Sequence, residues 1–395
     1  MPEITYPLAS TTWDSEEVQA AVKLLESNQL TMGAQVKKFE EEFATYSGTK
    51  FAVMFSSGSS ANLGMMAALR YVKDSPIQEG DEVLVPAVSW STTYYPVNQV
   101  GLTLKFVDIS LQTLNIDIEL VENAIGPKTK AILAVNLLGN PADLIRLREL
   151  ALKHNLTLLE DNCESLGAEL SGEKAGTFGL AGTYSFFFSH HICTMEGGMV
   201  TTNSKEFAET LISLRAHGWT RGLEKENSVH NKSDNEWDDL FRFVLPGYNL
   251  RPIELSGAIG QVQLRKFPTF LDWRRKNAKV FVDLFAGRDD LIVQDENGSS
   301  SWFGFSFVLD GKLQGKRSAV LTHFAEHGIQ TRPIVAGNFT INPVMKHLKH
   351  APLATFENAA RIHEDGFFIG NHHSDFENEL KIVHQVFSDF AKGVN

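Results

Sequence analysis

Short β-type runs alternate with helical segments from about residue 50 to residue 202, and this alternation constrains the fold most. Strands that alternate with helices form a mainly parallel sheet that is covered on both faces. In such a sheet, ligands bind beyond the carboxyl ends of the strands, so we expect the chemistry in the loops there. The predicted strands are 51–55, 82–85, 104–107, 131–135, 157–159, 184–188 and 199–202, and the clearest helices between them are 62–72 and 142–154.

The segments on either side of this region predict further elements. Two helices are expected before it, at 14–28 and 34–46, with Val18, Val22 and Leu25 on one stripe of the first. The polar run 225–237 is predicted to be a surface loop. The later elements are predicted helices at 252–264, 267–285, 317–327 and 377–392, and strands at 303–309 and 329–333. We therefore predict an α/β protein with a large domain over 1–250, including the N-terminal segment, and a smaller α+β domain over 251–395.

Charge and cysteine content exclude several classes of protein. The 395 residues carry a net charge of −12, so there is no basic surface of the kind that binds nucleic acid. The two cysteines, Cys163 and Cys193, cannot form a disulfide scaffold or a four-cysteine iron–sulfur site from this chain alone. A reducing, cytoplasmic location is expected. Neither a signal peptide nor a membrane-spanning segment is predicted.

The run 56–62, Ser-Ser-Gly-Ser-Ser-Ala-Asn, lies between a predicted strand and a predicted helix. A turn of small residues before a helix exposes backbone N–H groups, and the helix dipole adds positive potential, so this turn suits a phosphate. The alternative is that Ser59 or Ser60 simply caps the helix.

Two further strand ends carry side chains that suit a planar nitrogen heterocycle. Trp90 follows strand 82–85, where its indole could stack on a ring or pack in the core. Asp161 and Glu164 follow strand 157–159. A carboxylate beside a pyridine nitrogen keeps that nitrogen protonated, and the alternative is a cap on the next helix. Ser185 could add a hydroxyl to the phosphate site.

Adjacent histidines, His190 and His191, follow the predicted strand 184–188. An imidazole transfers protons near neutral pH. Paired histidines also occur as metal ligands, but neighbouring side chains on a strand point to opposite faces and no nearby ligand spacing completes a set. We therefore predict no metal.

Several motifs, in this order, resemble the DegT/DnrJ/EryC1/StrS aminotransferase family, and the resemblance covers nearly the whole chain. It implies an aspartate-aminotransferase-like fold (fold type I) and the cofactor pyridoxal phosphate (PLP), which alternates with its amine form, pyridoxamine phosphate (PMP). The motifs are Thr31-Met-Gly33, Phe39-Glu40, Ser57-Gly58-Ser59, Glu160-Asp161, Gly176-Thr-Phe-Gly179, Glu196-Gly-Gly and Gly247-Tyr-Asn249-Leu-Arg251.

One position departs from the family pattern. Most members have a lysine six residues before the glutamate of Glu-Gly-Gly, where this chain has His190. A lysine would bind the cofactor covalently as a Schiff base, whereas histidine can only transfer protons. Sugar 3-dehydratases of the family carry histidine there. One branch, which acts on CDP-sugars, needs an iron–sulfur cluster that two cysteines cannot supply.

The chain is most similar to the branch that acts on GDP-4-keto-6-deoxy-D-mannose, in the runs 6–10, 86–96, 136–141, 189–192 and 194–198. This resemblance implies a lyase with a transaminase half-reaction. L-Glutamate would be the amino donor, and the C3 hydroxyl of a nucleotide-linked 4-keto-6-deoxy sugar would be removed.

The resemblance also implies a homodimer with shared active sites and a role for each of several residues. His190 is the catalytic residue, and Gly58, Ser59 and Ser185 bind the phosphate of a noncovalent PLP or PMP. Trp90 stacks on the cofactor ring, Asp161 pairs with the ring nitrogen and Glu164 lies near the ring hydroxyl. Asn249 reaches the phosphate of the neighbouring subunit's cofactor, and His217, Arg221 and Arg251 bind the glutamate carboxylates.

Three other functions stay open on sequence grounds. They are a sugar aminotransferase that tolerates the lost lysine, a noncatalytic family member that acts as a binding subunit, and a metal hydrolase built on His190 and His191. No run of residues identifies guanine by its chemistry, so the nucleotide rests on the resemblance alone.

Overall fold

A computed structural model describes residues 3–31, 33–73 and 77–394, so Met32 of the motif at 31–33 lies outside the described residues. Twelve strands are found in this part of the chain. They are β1 (Phe51–Phe55), β2 (Glu82–Pro86), β3 (Thr103–Val107), β4 (Thr129–Val135), β5 (Thr157–Asp161), β6 (Glu169–Leu170), β7 (Glu173–Lys174), β8 (Ala181–Ser185), β9 (Gly198–Thr202), β10 (Leu291–Ile292), β11 (Gly304–Leu309) and β12 (Gly366–Gly370).

The same described residues form twelve α-helices. They are α1 (Ser15–Ser27), α2 (Ala34–Ser47), α3 (Gly58–Ala68), α4 (Ser91–Gln99), α5 (Ile118–Ala124), α6 (Leu144–His154), α7 (Lys205–Leu214), α8 (Glu236–Asp239), α9 (Glu254–Phe285), α10 (Arg317–Glu326), α11 (Glu357–Asp365) and α12 (Glu377–Gly393).

The main sheet has seven strands in the order β1-β9-β8-β5-β4-β2-β3. Six of its strands run in the same direction and β9 runs in the opposite one, so the predicted mainly parallel sheet is confirmed. Its strands are almost entirely buried, as expected for a sheet with helices on both faces. This order places the carboxyl ends of β1, β2, β4, β5 and β8 along one edge.

A second core surrounds the three-stranded sheet β10-β11-β12. Aromatic side chains dominate it, with Phe281 stacked on Phe305 at 4.4 Å and Phe307 on Phe367 at 4.9 Å between ring centroids. Tyr6 is buried in this core, so the N-terminal segment packs against the C-terminal part of the chain. The division between residues 250 and 251 stays a prediction.

Several predicted elements differ from the structure. The helix expected at 62–72 begins and ends four residues earlier, as α3. The two helices expected at 252–264 and 267–285 form one continuous helix, α9, with Pro268 inside it. The strand expected at 329–333 is absent from the described residues, where isolated bridges join Ile329 to Tyr6 and Arg332 to Phe368 instead. The strand expected at 184–188 begins and ends three residues earlier, as β8. Consequently, the paired histidines lie in a turn.

Candidate active site

Neighbouring strands place three loops side by side at the carboxyl edge of the main sheet. Gly198 at the start of β9 pairs with Phe55, the last residue of β1, and with Ser185, the last residue of β8. Asp161, the last residue of β5, pairs with Thr183 of β8. The turn after Phe55 therefore lies close to Ser185, and β8, which ends at Ser185, lies next to β5, which ends at Asp161.

The turn at the start of α3 has the geometry of a phosphate site. Ser57 is the N-cap, and its Oγ accepts a hydrogen bond from Ser60 N at 3.0 Å, so the cap is neither Ser59 nor Ser60 as the alternative proposed. A Cβ on Gly58 would lie 2.5 Å from Ser185 Cβ and 3.1 Å from Cys163 Sγ. Only a glycine fits there, and it brings the N-terminus of α3 against the Ser185 hydroxyl.

Trp90 stands at the N-cap position of α4, beside this turn. Its side chain is 56% exposed, so the alternative of ordinary core packing is wrong. Ser59 Oγ donates to Thr92 Oγ1 at 3.0 Å, which joins the N-termini of α3 and α4. The indole is consequently free to cover a ring that lies at the sheet edge.

Asp161 is 5% exposed and accepts three hydrogen bonds. Its Oδ2 receives Asn62 Nδ2 at 2.9 Å and Thr93 Oγ1 at 2.8 Å, and its Oδ1 receives Cys163 N at 3.1 Å. Three donors suit an ionised carboxylate, which can only accept. The three donors therefore hold the Asp161 carboxyl group in one orientation at the sheet edge.

Two more carboxyl groups, those of Glu160 and Glu164, lie near the end of β5. Burial raises the pKa of Glu160 to about 7, although its carboxylate accepts hydrogen bonds from the backbone N–H groups of Gly176, Phe178 and Gly179. Burial also raises the pKa of Glu164 to about 7, and the charge of Asp161 adds to this effect. Glu164 has one hydrogen bond, from Leu138 N at 2.9 Å.

His190 lies in the turn that follows β8. Burial lowers its pKa to about 4, and the nearby Arg274 charge contributes, so the imidazole is uncharged at neutral pH. Its Nδ1 is buried and has no hydrogen-bond partner among the described residues. The Phe303 ring meets the imidazole edge-on at 5.3 Å between centroids. An uncharged imidazole in this position is able to accept a proton.

The backbone of Leu138 links His190 to the carboxyl cluster. Leu138 N donates to Glu164, and Leu138 O accepts from Phe303 N at 2.9 Å. The Phe303 ring then contacts His190. Leu138 and Phe303 thus link Glu164 to His190, which connects the candidate base to the candidate ring site.

His191 points elsewhere. It is 1% exposed, and its Nε2 lies 3.1 Å from the carbonyl oxygen of Ser301. Because both histidines lie in a turn, the argument from opposite strand faces does not apply to them. In residues 3–31, 33–73 and 77–394, no three histidine, cysteine, aspartate or glutamate side chains lie close enough together to hold a metal ion.

A cavity of about 40 Å³ lies beside His190. Ser10 of the N-terminal segment, Ser189 and Asn371 contribute to its walls, together with His190 and Arg274. Arg274 comes from α9 and is 4% exposed. The second core and the N-terminal segment therefore complete the surroundings of the candidate base.

The remaining candidates lie on the segment before α9 and in the loop after α7. Leu250 O accepts from Ser56 N at 3.0 Å, so this segment is attached to the phosphate turn of its own chain. Asn249 is exposed, and its Oδ1 accepts from Arg251 Nε at 3.0 Å. The guanidinium carbon of Arg221 lies 5.3 Å from the centre of the Trp219 ring.

His217 is exposed and has a left-handed backbone, with φ 66°. Among the residues that the structure describes, no hydrogen bond, ion pair or ring contact joins His217 or Arg221 to the other candidate residues. The structure therefore brings Gly58, Ser185 and Asp161 into one site with His190 nearby, but leaves these two outside it within one chain.

These observations fit a phosphorylated pyridine. The Gly58 turn provides backbone N–H groups and a serine hydroxyl. Asp161 provides a buried carboxylate that is hydrogen-bonded to Asn62 of the same helix, α3, and the Trp90 indole is exposed nearby. The profile of the DegT/DnrJ/EryC1/StrS aminotransferase family matches residues 11–387. The protein belongs to this family.

Within the family, the similarity to one enzyme extends over nearly the full chain. GDP-4-keto-6-deoxy-D-mannose 3-dehydratase of Yersinia pseudotuberculosis is 50% identical over 385 residues, which cover 97% of this chain and 98% of that protein. The solved structure of the E. coli enzyme of that name, with bound hydrated PLP, superposes with a TM-score of 0.95 at 49% identity and covers 98% of this chain and 100% of its own.

A further structure of GDP-4-keto-6-deoxymannose-3-dehydratase contains a trapped PLP-glutamate geminal diamine. It has a TM-score of 0.94 at 49% identity and covers 96% of this chain and 99% of its own. The expected aspartate-aminotransferase-like fold is confirmed by these matches. The roles of individual residues stay predictions.

The sequence analysis did not identify three residues that contact or surround the candidate site. Asn62 and Thr93 donate hydrogen bonds to Asp161, and both lie within sequence runs given above, where adjacent residues were assigned roles. Arg274 lies outside every motif of the sequence analysis. Its only signal is its spacing, because it falls on the same helical stripe as the buried Phe267, Leu271 and Ala278, where an arginine is unusual.

Proposed function

We propose that this protein is a PLP/PMP-dependent 3-dehydratase of GDP-4-keto-6-deoxy-D-mannose. L-Glutamate provides an amino group and leaves as 2-oxoglutarate. The sugar loses its C3 hydroxyl and is released as a 4-keto-3,6-dideoxy sugar, with ammonia as the second product. The observation that supports this most is an uncharged histidine at position 190, where a lysine would tether the cofactor, beside an otherwise complete site.

Each residue of the site contributes one physical effect. When bound, the cofactor supplies a conjugated ring that accepts the electrons of a bond broken beside it. The Asp161 carboxylate, held in place by its three donors, keeps the ring nitrogen protonated. Gly58, Ser59 and Ser185 bind the phosphate at the N-terminus of α3.

Two further side chains orient the ring. The exposed Trp90 indole stacks on the ring and excludes water from one face. Glu164 lies near the ring hydroxyl, and its raised pKa allows it to donate or accept a hydrogen bond there. Because position 190 has a histidine and not a lysine, the cofactor is held noncovalently.

His190 moves protons in both halves of the reaction. It accepts one at the carbon next to the transferred amine and gives one to the C3 oxygen as that oxygen leaves. General acid–base help of this kind contributes on the order of 10²–10⁴ in rate. A lysine at this position would recapture the cofactor and favour ordinary transamination of the sugar.

The active unit is proposed to be a homodimer. Val18, Val22 and Leu25, on one stripe of α1, are 52%, 48% and 54% exposed in the single chain, as expected for an apolar face that a second copy covers. Asn249 is also exposed and reaches the phosphate of the neighbouring subunit's cofactor. His217, Arg221 and Arg251 bind the glutamate carboxylates.

The described residues contain no helix that is both long and apolar enough to cross a bilayer. The cytoplasmic location expected from the low cysteine content stays a prediction.

The proposal is tested by incubation of the protein with PLP, L-glutamate and GDP-4-keto-6-deoxy-D-mannose. Mass spectrometry should show loss of one oxygen from the sugar and release of ammonia. CDP- and dTDP-linked 4-keto-6-deoxy sugars serve as matched controls for the nucleotide. Accumulation of an amino sugar would instead support the aminotransferase alternative, and absence of any bound chromophore would support the noncatalytic one.

A further inference from the structure

Ser10 of the N-terminal segment lines the cavity beside His190 and contacts two histidines that follow β12. Its Oγ lies 2.9 Å from His372 Nδ1 and 3.4 Å from His373 Nδ1. His372 is completely buried, and its ring stacks on Phe376 at 3.7 Å between centroids. The Ser10–His372 pair has no role in the reaction steps derived so far, although it borders the same cavity as the candidate base.

The surroundings of His372 determine which of its ring nitrogens carries a proton. Its Nε2 lies 3.1 Å from the carbonyl oxygen of Pro7, which can only accept a hydrogen bond. Burial lowers the pKa of His372 to about 3, and the Arg274 charge contributes, so the ring is uncharged at neutral pH. An uncharged imidazole has a single N–H group. This group is therefore Nε2–H, and Nδ1 is a hydrogen-bond acceptor.

This tautomer of His372 orients the hydroxyl group of Ser10. Because His372 Nδ1 can only accept, the Ser10 hydroxyl donates its proton to that nitrogen. The Ser10 oxygen keeps two lone pairs, and the longer contact with His373 uses at most one of them. Towards a molecule in the cavity, Ser10 can therefore act only as a hydrogen-bond acceptor.

The other uncharged polar groups in the cavity wall lack this property. Asn371 is already bound to the protein, since its Oδ1 accepts from His372 N at 2.8 Å and its Nδ2 donates to backbone carbonyl oxygens. Of the two hydroxyl groups in the wall, those of Ser10 and Ser189, only the one of Ser10 has its proton bound to a partner within the described chain. The cavity thus places one oriented acceptor beside His190.

The cavity is small enough to limit what enters it. Its volume of about 40 Å³ has room for about three water-sized groups. A hexose does not fit, whereas a single hydroxyl group or a water molecule does. In the proposed reaction, the C3 hydroxyl of the sugar is such a group, and it leaves as water.

A leaving hydroxyl group needs two different neighbours. A lone pair of its oxygen must face the group that gives it a proton. Its own hydrogen must then point elsewhere, where an acceptor stabilises it. His190 supplies the proton, and Ser10 is an acceptor on the wall of the same cavity. The two side chains therefore have complementary roles toward such a group.

We propose that the Ser10 hydroxyl accepts a hydrogen bond from the C3 hydroxyl of the sugar and holds the water molecule that forms from it. This inference rests on the proposed function. The C3–O bond breaks with its electron pair on oxygen, which takes the proton held by His190 and leaves as water. The electron pair of the C–H bond that gave His190 this proton moves toward C3 and forms the new double bond. Water that is held at Ser10 is kept from adding back to C3.

The first test compares the two half-reactions in Ser10→Ala. Supplied PMP and GDP-4-keto-6-deoxy-D-mannose report dehydration in a single turnover, and release of 2-oxoglutarate reports the amino-donor half-reaction of the PLP-loaded protein. Loss of one hydrogen bond should slow dehydration about 10-fold. Release of 2-oxoglutarate should not change, because glutamate has no leaving hydroxyl group.

Two variants serve as matched controls for the loss of the Ser10 hydroxyl. Ser10→Thr keeps a hydroxyl group at this position and should retain most of the dehydration rate. Thr5→Val removes a hydroxyl group from the same N-terminal segment. Thr5 also donates a hydrogen bond, to the carbonyl oxygen of His327, but it does not line the cavity, so this variant should dehydrate at the wild-type rate.

A double-mutant cycle tests whether His372 acts through Ser10. His372→Phe keeps an aromatic ring that can stack on Phe376 but removes the acceptor of the Ser10 proton. It should also slow dehydration, by at most about 10-fold, and Ser10→Ala/His372→Phe should be no slower than Ser10→Ala. If the two losses multiply in the double variant, the side chains act independently and the proposal is wrong.

Nitrogen NMR of the cofactor-free protein gives a readout that is independent of activity. Between about pH 6 and 8, His372 should be present as the Nε2–H tautomer, and its signals are identified by their absence from His372→Phe. An Nδ1–H tautomer or a charged ring would overturn the proposal, because Ser10 would then have no acceptor for its proton.

The outcomes for this inference and for the proposed function differ. If the wild type dehydrates the sugar and a folded Ser10→Ala protein does so at the same rate, the inference is wrong and the proposed function stands. Equal loss of both half-reactions in folded Ser10→Ala would mean a general structural role for Ser10, which also overturns the inference. Failure of the wild type to dehydrate the sugar would refute the proposed function, and the inference with it.

Discussion

Gly58 and Ser185 approach each other so closely that no side chain fits between them. A Cβ built on Gly58 would lie 2.5 Å from Ser185 Cβ and 2.8 Å from its Oγ. The contact follows from sheet register, because Gly198 pairs with the last residue of β1 on one side and with Ser185 on the other. The strand pairing thereby sets the shape of the proposed phosphate site.

Gly58→Ala should therefore weaken cofactor binding and destabilise the fold. Overpacking of this kind costs about 1–3 kcal/mol of unfolding free energy. Fluorescence titration with PLP and thermal unfolding measure the two effects. Gly393→Ala is the control, since nothing lies within 4 Å of its added Cβ. The double variant Gly58→Ala/Ser185→Gly should recover stability; if it does not, the clash is not the cause.

Replacement of His190 by lysine tests the departure from the family pattern. His190→Lys should show the visible absorption band of a lysine-bound cofactor and lose 3-dehydration, because an amine at this position can capture the aldehyde. His190→Asn removes the proton carrier without adding an amine, so it should show no such band and should dehydrate slowly. An unchanged spectrum and unchanged activity in His190→Lys would refute the assignment.

Asp161→Asn should abolish both half-reactions. In either orientation, the NH2 group of the amide would face a donor, which is Asn62 Nδ2 and Thr93 Oγ1 in one case and Cys163 N in the other. The amide would also carry no charge to keep the ring nitrogen protonated. We expect a loss of at least about 10²–10³ in rate for each half-reaction. Thr93→Val removes one donor and keeps the charge, so its loss should be much smaller. Normal dehydration by Asp161→Asn would contradict the electron-accepting role of the ring.

The sheet and most of its strands could be predicted from the chain because buried parallel strands have a strong local signal. The predicted bounds of β5 and β9 lie within two residues of the observed ones, since short runs of apolar and β-branched residues bounded by turns are characteristic of strands. β8 was placed three residues too late. The aromatic run after it, Phe186 to Phe188, resembles a strand, but its register with β9 ends at Ser185.

Residues of the site were predictable where a motif marks them and not where only tertiary packing does. Asp161 is the last residue of β5, and a carboxylate at the end of a strand predicted a role in ligand binding. Arg274 lies in the middle of a 32-residue helix, 84 positions after His190 in the chain, and only the packing of α9 against β11 and the N-terminal segment brings the two together. No local pattern encodes such a contact.

The carboxyl group of Glu164 should give the cofactor-free protein a pH-dependent stability. Burial raises its pKa from 4.5 to about 7, so between these values the folded state holds a proton that the unfolded state has lost. Its contribution to stability is therefore present below pH 4.5 and is lost as the pH rises through 7. Removing the carboxyl group removes this loss, so Glu164→Gln should gain stability relative to the wild type as the pH increases from 5 to 8.

Urea unfolding at a series of pH values measures this difference. The amide of Glu164→Gln can still accept the hydrogen bond from Leu138 N, so the comparison isolates the charge. Glu377→Gln, at an exposed position in the first turn of α12, gives the baseline for loss of one surface carboxyl group. A constant difference between Glu164→Gln and the wild type from pH 5 to 8 would mean that Glu164 is as well solvated as Glu377. Glu164 would then be ionised at neutral pH and unable to donate a hydrogen bond to the ring hydroxyl.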